Sequence, residues 1–114
     1  MTRRRLAGAG AALALTLGIA GPALSQGAST SAAIRVFQFQ PGALAVRAGT
    51  RVTWTNEDDI THTVTSGTPG NPDGRFEVGL AGKGATGGVT FSEPGVYPYF
   101  CARHQSMRGE VVVR

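Results

Sequence analysis

A single stretch, Tyr99-Phe100-Cys101-Ala102-Arg103-His104-Gln105-Ser106-Met107, holds the only cysteine of the chain, one of its two histidines and its only methionine besides Met1. The other histidine is His62. A thiolate, two imidazoles and a thioether make up the donor set of a small copper site, the first three in a near-trigonal plane and the thioether as a weak axial ligand. The intervals favour convergence. A turn that advances three residues per step can direct Cys101, His104 and Met107 toward one point, and His62 must then arrive from a second strand end. Each residue alone has a blander explanation: a lone buried Cys is usually a small hydrophobe, and His62, His104 and Met107 read singly as a strand residue, a loop residue and a core filler. Taken together these explanations require four coincidences, whereas one metal ion accounts for all four donors.

Other chemistries fit less well. Structural zinc prefers several thiolates or additional histidines and seldom recruits methionine. A Cys101–His104 nucleophile pair needs an orienting third group and an oxyanion-stabilising site, and neither is evident in the sequence. Four protein ligands leave no open position for a substrate, so the chain is not expected to be an enzyme. The run Glu57-Asp58-Asp59 reads as the solvated tip of a turn.

The compartment bears on the thiol. Residues 1–25 read as an export signal: Arg3-Arg4-Arg5, an uncharged apolar run from Leu6 to Leu24, and small residues at Ala23 and Ser25 where a peptidase would cut. The Thr-Arg-Arg start fits a twin-arginine signal and an ordinary secretory one about equally. An uncleaved anchor is a weaker third reading, since residues 6–24 just reach across a bilayer. The formal net charge of +4 includes those three arginines; of 11 Lys+Arg, 8 remain after Ser25 against 7 Asp+Glu. The basic character therefore belongs mostly to export and gives no reason to expect a nucleic-acid partner. The chain beyond Ser25 is long enough for one domain and too short for two. One Cys cannot form an internal disulfide, and a free thiol in an oxidising compartment is a liability unless something occupies it.

The elements that must position these ligands read as strands. Ile34 to Phe39 alternates apolar and polar residues and stops at Pro41-Gly42; Leu44–Arg47, Arg51–Thr55 and His62–Thr65 repeat the two-residue period. Gly67 to Gly74 reads as a loop, and Gly27 to Ala33 as a frayed terminus. Further strands are expected near 75–80, 88–92, 96–101 and 109–114, with no run of apolar residues at helical spacing. Short strands with frequent turns predict an all-β antiparallel sandwich or small barrel. Within Tyr97-Pro98-Tyr99-Phe100-Cys101, alternation places Cys101 on the face of both tyrosines, and Pro98 marks an open edge or bulge. Tyr97, following Glu93-Pro94-Gly95-Val96, is placed for a corner hydrogen bond back to the turn, and Trp54 is expected in the core.

The C-x2-H-x2-M spacing, together with "TRVTWTN" (50–56) and "VTFSEPGVYPYFCARHQSMRGEVVV" (89–113), resembles the cupredoxins, the type 1 blue copper proteins, of the amicyanin/plastocyanin kind. The resemblance implies a Greek-key β-sandwich over residues 34–114; the composition before it predicts a flexible 26–33. It implies one copper per chain, with His62, Cys101 and His104 as equatorial ligands and Met107 as the axial one. It further implies an electron carrier, periplasmic or otherwise exported, serving redox proteins such as a cytochrome c or a dehydrogenase or oxidase. A monomer is expected, with no stable membrane insertion after signal cleavage. A periplasmic copper carrier or chaperone with the same ligands is the alternative. By resemblance His104 is the electron exit, and the position after the first His, here Thr63, donates a backbone hydrogen bond to the sulfur. Two departures stand out: Thr63 replaces an Asn that braces the ligand loop in amicyanin, and Gln105 and Ser106 replace Pro and Phe, making the rim more polar.

Overall fold

Two-residue periodicity governs the part of the chain described by the computed structural model, residues 28–114. The expected export signal lies outside these residues. Among the described residues nine strands succeed one another: β1 Ser29–Ile34, β2 Phe39–Gln40, β3 Ala43–Val46, β4 Thr50–Asn56, β5 His62–Thr68, β6 Asn71–Leu80, β7 Thr86–Phe91, β8 Gly95–Phe100 and β9 Arg108–Val113. They form two sheets, ordered β2-β1-β4-β7 and β3-β9-β8-β5-β6. Alternate residues of β4 (Thr50, Val52, Trp54, Asn56) are buried, as a strand with one core-facing side requires. Between the sheets lie Ile34, Val52, Trp54, Val64, Leu80, Tyr99 and Val111, all essentially without exposure. The architecture is the β-sandwich expected.

Four details differ from the expectations set by sequence. From Ser29 onward the segment expected to be flexible over 26–33 lies in β1, which pairs in parallel with β4 from Ser29↔Arg51 to Ile34↔Asn56 and buries Ala32 and Ile34. The alternating run Ile34–Phe39 is not one strand. It breaks at Val36 and Phe37, both in the left-handed region (φ 53° and 58°), which fold β1 back onto β2. Gly67–Gly74 is not an open loop: β5 and β6 pair to Thr68↔Asn71 around Pro69-Gly70, with the register shifted between Thr65 and Gly67. Finally the sheets are mixed, since β3 also runs parallel to β9. Crossing from one sheet to the other after β2 makes both parallel pairs possible, and such crossings leave no trace in local periodicity.

The strand that ends at Cys101 is packed tightly. Tyr99 is flanked edge-on by Phe39 and Trp54, at ring-centroid distances of 4.8 and 5.4 Å. Its hydroxyl accepts the Trp54 indole N–H at 3.4 Å, and its ring occupies the space a side chain at Gly109 would fill. Tyr97 donates to the Glu93 carbonyl at 2.7 Å, closing the corner before β8 as expected. Beside Pro98, pairing of β8 with β5 has ended, since only Tyr99 and Phe100 reach that neighbour.

This packing has two measurable consequences. Gly109→Ala drives a methyl group into the Tyr99 ring and is expected to destabilise the fold by about 1–3 kcal/mol, the usual range for overpacking a core, as read by urea unfolding. Burial pushes the Tyr99 phenol up, against the smaller lowering by the Trp54 N–H. The fold thus favours the neutral phenol. Its contribution is fully present below the ordinary tyrosine value of about 10 and declines as pH rises through the higher folded value. Stability measured across that window should fall more steeply for the native chain than for Tyr99→Phe; equal slopes would mean that the phenol ionises freely in the folded state.

Candidate metal centre

The β5–β8 register determines where the ligands meet. The strands are antiparallel, with Thr65 opposite Phe100 and Ser66 opposite Tyr99, so the start of β5 and the end of β8 lie at one end of the sheet. His62 opens β5 and Cys101 comes directly after β8. Both are completely buried.

His62 reaches this point through a turn built on Asn56. Fully buried at the end of β4, Asn56 donates from Nδ2 to the carbonyls of Ile60 (2.8 Å) and Leu80 (3.0 Å) and accepts the Asp58 N–H at 2.9 Å. One amide thereby holds both the turn and the β6 residue opposite His62, since His62 pairs with Leu80. Buried polar groups carry a penalty unless bonded, and all three bonds here are spent on aiming β5.

His104 and Met107 come from the loop between β8 and β9. The Cys101 N–H donates to the Met107 carbonyl at 3.1 Å, and the Met107 N–H donates to the His104 carbonyl at 3.0 Å. Met107 is buried in the core cluster, whereas His104 is half-buried and Arg103, Gln105, Ser106 and Arg108 are exposed. Thr63 braces the loop from the other side. Its Oγ1 accepts the Ala102 N–H at 2.8 Å and contacts Thr65 Oγ1 at 2.9 Å, and its N–H donates to Cys101 Sγ at 3.4 Å. The hydroxyl therefore supplies the bracing that the change from Asn to Thr put in question.

The donor atoms converge. Cys101 Sγ lies 3.8 Å from His62 Nδ1 and 3.9 Å from His104 Nδ1, and one ligand atom from each of the three residues falls within 4.8 Å of the others. Bonds of about 2.0–2.1 Å to imidazole nitrogen and about 2.3 Å to thiolate sulfur, spread by about 120° in a trigonal plane, put nitrogen and sulfur about 3.8 Å apart. Both observed sulfur–nitrogen separations match donors around a single ion and are too long for strong hydrogen bonds. Soft sulfur with two imidazoles is a copper donor set, so the residues present fit that metal.

Two further residues at the site were not singled out by sequence. Asp58, read as part of a solvated tip, is only 13% exposed in its side chain and faces His62 Nε2 at 2.9 Å. Partial burial pushes its carboxyl up, but the amides of Phe37 and Val36 and the imidazole of His62 together outweigh this and hold it below the ordinary carboxylate value. Phe37 sets its ring edge-on against both imidazoles, with centroids 5.2 Å from His62 and 5.0 Å from His104. The i,i+4 spacing of Asp58 and His62 was the one available signal, and it is weak outside a helix.

Residues 26–114 match the family model described as copper binding proteins, plastocyanin/azurin family. Among relatives, the chain is 34% identical over 85 residues to amicyanin-alpha of Methylorubrum extorquens, covering 75% of this chain and 71% of that protein. It is 32% identical to amicyanin of Paracoccus denitrificans over 90 residues, or 70% of this chain, and spans 61% of that protein's length. Plastocyanin A'/A'' of Nicotiana tabacum is 36% identical over 85 residues, covering 66% of this chain and 86% of that protein. Among solved structures, a purple cupredoxin from Nitrosopumilus maritimus superposes with a TM-score of 0.69 at 28% identity, covering 75% of this chain and 99% of its own. The donor triad and these matches agree: the chain belongs to the plastocyanin/azurin family of copper-binding proteins, the cupredoxins, which are electron carriers and not enzymes.

Proposed function

We propose that the chain carries single electrons between redox proteins outside the cytoplasm, with His62, Cys101 and His104 as the equatorial ligands of one copper ion and Met107 as its axial ligand. The observation that carries this reading is the convergence of His62 Nδ1, Cys101 Sγ and His104 Nδ1, with the sulfur 3.8 and 3.9 Å from the two nitrogens. Copper, when bound, supplies a one-electron Cu(I)/Cu(II) couple. The chain's own part is to hold the donors still and to shield them. His62 and Cys101 are sealed from solvent, and the Thr63 N–H reaches the sulfur; a hydrogen bond to a thiolate ligand withdraws charge from it and tunes the potential.

His104 is the ligand that approaches the surface, beside the half-exposed Phe37 ring and between exposed Arg103 and Arg108. That combination favours a redox partner, such as a cytochrome c or a dehydrogenase or oxidase, with an acidic rim around an apolar contact, since rim charges steer encounter more than they set affinity. Export rests on residues 1–25 as a cleaved signal. Among the described residues no helix is long and apolar enough to cross a membrane.

Adding Cu(II) to the protein should generate a strong visible sulfur-to-copper charge-transfer band, absent in Cys101→Ser; a colourless wild-type complex would sink the assignment. Rapid electron self-exchange is then expected, while slow exchange at an intact site would favour the copper-carrier alternative. Thr63→Val keeps the N–H to sulfur but removes the acceptor for Ala102. It should cost about 0.5–1.5 kcal/mol of unfolding free energy, with Thr63→Ser restoring most of the loss.

A further inference from the structure

The turn between β1 and β2 is built against local preference. The Arg35 N–H donates to the Gln38 carbonyl at 2.9 Å and the Gln38 N–H to the Arg35 carbonyl at 3.1 Å, enclosing a two-residue connection. With both central residues left-handed, this is the primed turn that normally takes Asn-Gly or Gly-Gly. Here the residues are Val36 and Phe37, a β-branched and an aromatic side chain, for which that backbone region is strained by on the order of 1–3 kcal/mol each. Strain of this kind persists only where surrounding contacts over-determine it.

Asp58 supplies those contacts. Its Oδ1 accepts the Val36 N–H at 2.8 Å, and its Oδ2 accepts the Phe37 N–H at 2.9 Å while also lying 2.9 Å from His62 Nε2. Both amides can only donate, so each carboxyl oxygen accepts one of them, and these bonds favour the ionised carboxylate. With the carboxyl ionised, the contact between Oδ2 and Nε2 requires the hydrogen on Nε2, which leaves Nδ1, the atom facing Cys101 Sγ, free to bind a metal. One side chain fixes both the turn that presents Phe37 and the tautomer of a buried ligand. An exposed ion pair, Arg35 to Glu57 at 2.9 Å, joins the same two turns.

We propose that Asp58 is a positioning residue of the metal centre: it ties the left-handed Val36–Phe37 turn to His62, holds the imidazole with its proton on Nε2 and Phe37 against both imidazoles, and biases the bound metal toward its oxidised state. The bias has a chemical origin. A carboxylate on the outer N–H makes an imidazole a stronger donor, and the stronger donor stabilises Cu(II) more than Cu(I). The proposal rests on the copper reading for its last step only, because the tautomer is a property of the chain itself.

The test combines two measurements. First, 15N–1H spectra of the metal-free protein, at a pH where imidazoles are neutral, should find His62 of the native chain in the Nε2–H form; an Nδ1–H form overturns the proposal whatever any variant does. Second, Asp58→Asn turns an amide NH2 toward two donors or withdraws one of its acceptors. His62 should then populate both tautomers, and the ratio of Cu(II) to Cu(I) affinity should drop about tenfold, within the range such outer partners command and equal to a rise of about 59 mV in the one-electron potential. Asp58→Glu should recover part of that shift. Phe37→Leu, which retains both turn amides, should leave the tautomer unchanged. A potential in Asp58→Asn that matches the native one would show that the carboxylate only supports the fold, and would also overturn the proposal. A native protein that gives no charge-transfer band with Cu(II) would instead defeat the copper reading, leaving the tautomer result to stand or fall separately.

Discussion

The pairing of β5 with β8 is the constraint from which the site derives. Antiparallel strands with Thr65 opposite Phe100 bring the first residue of one strand to the last residue of the other. Strand periodicity is two, so a slip of one residue would turn Cys101 away from the core and carry Tyr99 with it. The slip is opposed at several points at once. Tyr99 is held between Phe39 and Trp54 and lies over Gly109, while β9 pairs with β8 along its whole length from Gly95↔Val113 to Phe100↔Arg108. The rigidity of the sulfur is thus a property of the sandwich core. The loop after Cys101 adds to it the two backbone bonds that close Cys101 to Met107 and the Ala102 N–H on Thr63 Oγ1.

His62, the second donor of the triad, is placed by a different kind of force. His62 lies where an unpaired polar group is unfavourable by about 1–3 kcal/mol. Asp58 takes Nε2 at 2.9 Å, and Nδ1 faces the sulfur at 3.8 Å. Asp58 is in turn anchored by two amides and by its own N–H on Asn56. Asn56 extends the chain of bonds to Leu80 on β6. The connected set spans both sheets and every member is bonded, which is the condition under which a buried polar network fixes one arrangement rather than several.

The sequence made the donor triad legible because its types are scarce: the chain holds one Cys and two His, and all three converge. The strands were legible wherever one face is buried, as in β4. What remained hidden was set by contacts distant in the chain. Ile34 to Phe39 alternates as a strand does, and nothing local announces that Val36 and Phe37 turn left-handed, since Asp58, 22 and 21 residues on, holds that turn. Asp58 itself sits in an acidic run of the sort that usually faces water. The segment from Ser29 to Ala33 is small and polar enough to pass for a frayed end, yet parallel pairing with β4 satisfies its backbone. Thr63 differs from Asn in name and size, but the side-chain oxygen that the loop needs is present on both.

The burial pattern separates the two imidazoles by exposure. His62 and Cys101 are closed off completely, and Phe100, which neighbours the cysteine on β8, is 2% exposed, so neither the sulfur nor its strand offers a short way out. His104 is half-buried and makes edge contact with Phe37, itself 45% exposed. A carrier of single electrons needs its metal ligands shielded from water and at least one of them near a partner. These requirements conflict if one loop must meet both. Here they are divided: the strand pair and the Asn56–Asp58 network hold the buried His62 and Cys101, and the loop after Cys101 carries the half-buried His104. Changes at Gln105, Ser106 and the flanking arginines should therefore leave the two sealed donors in place, because those residues are exposed and the bonds that orient His62 run through the opposite turn.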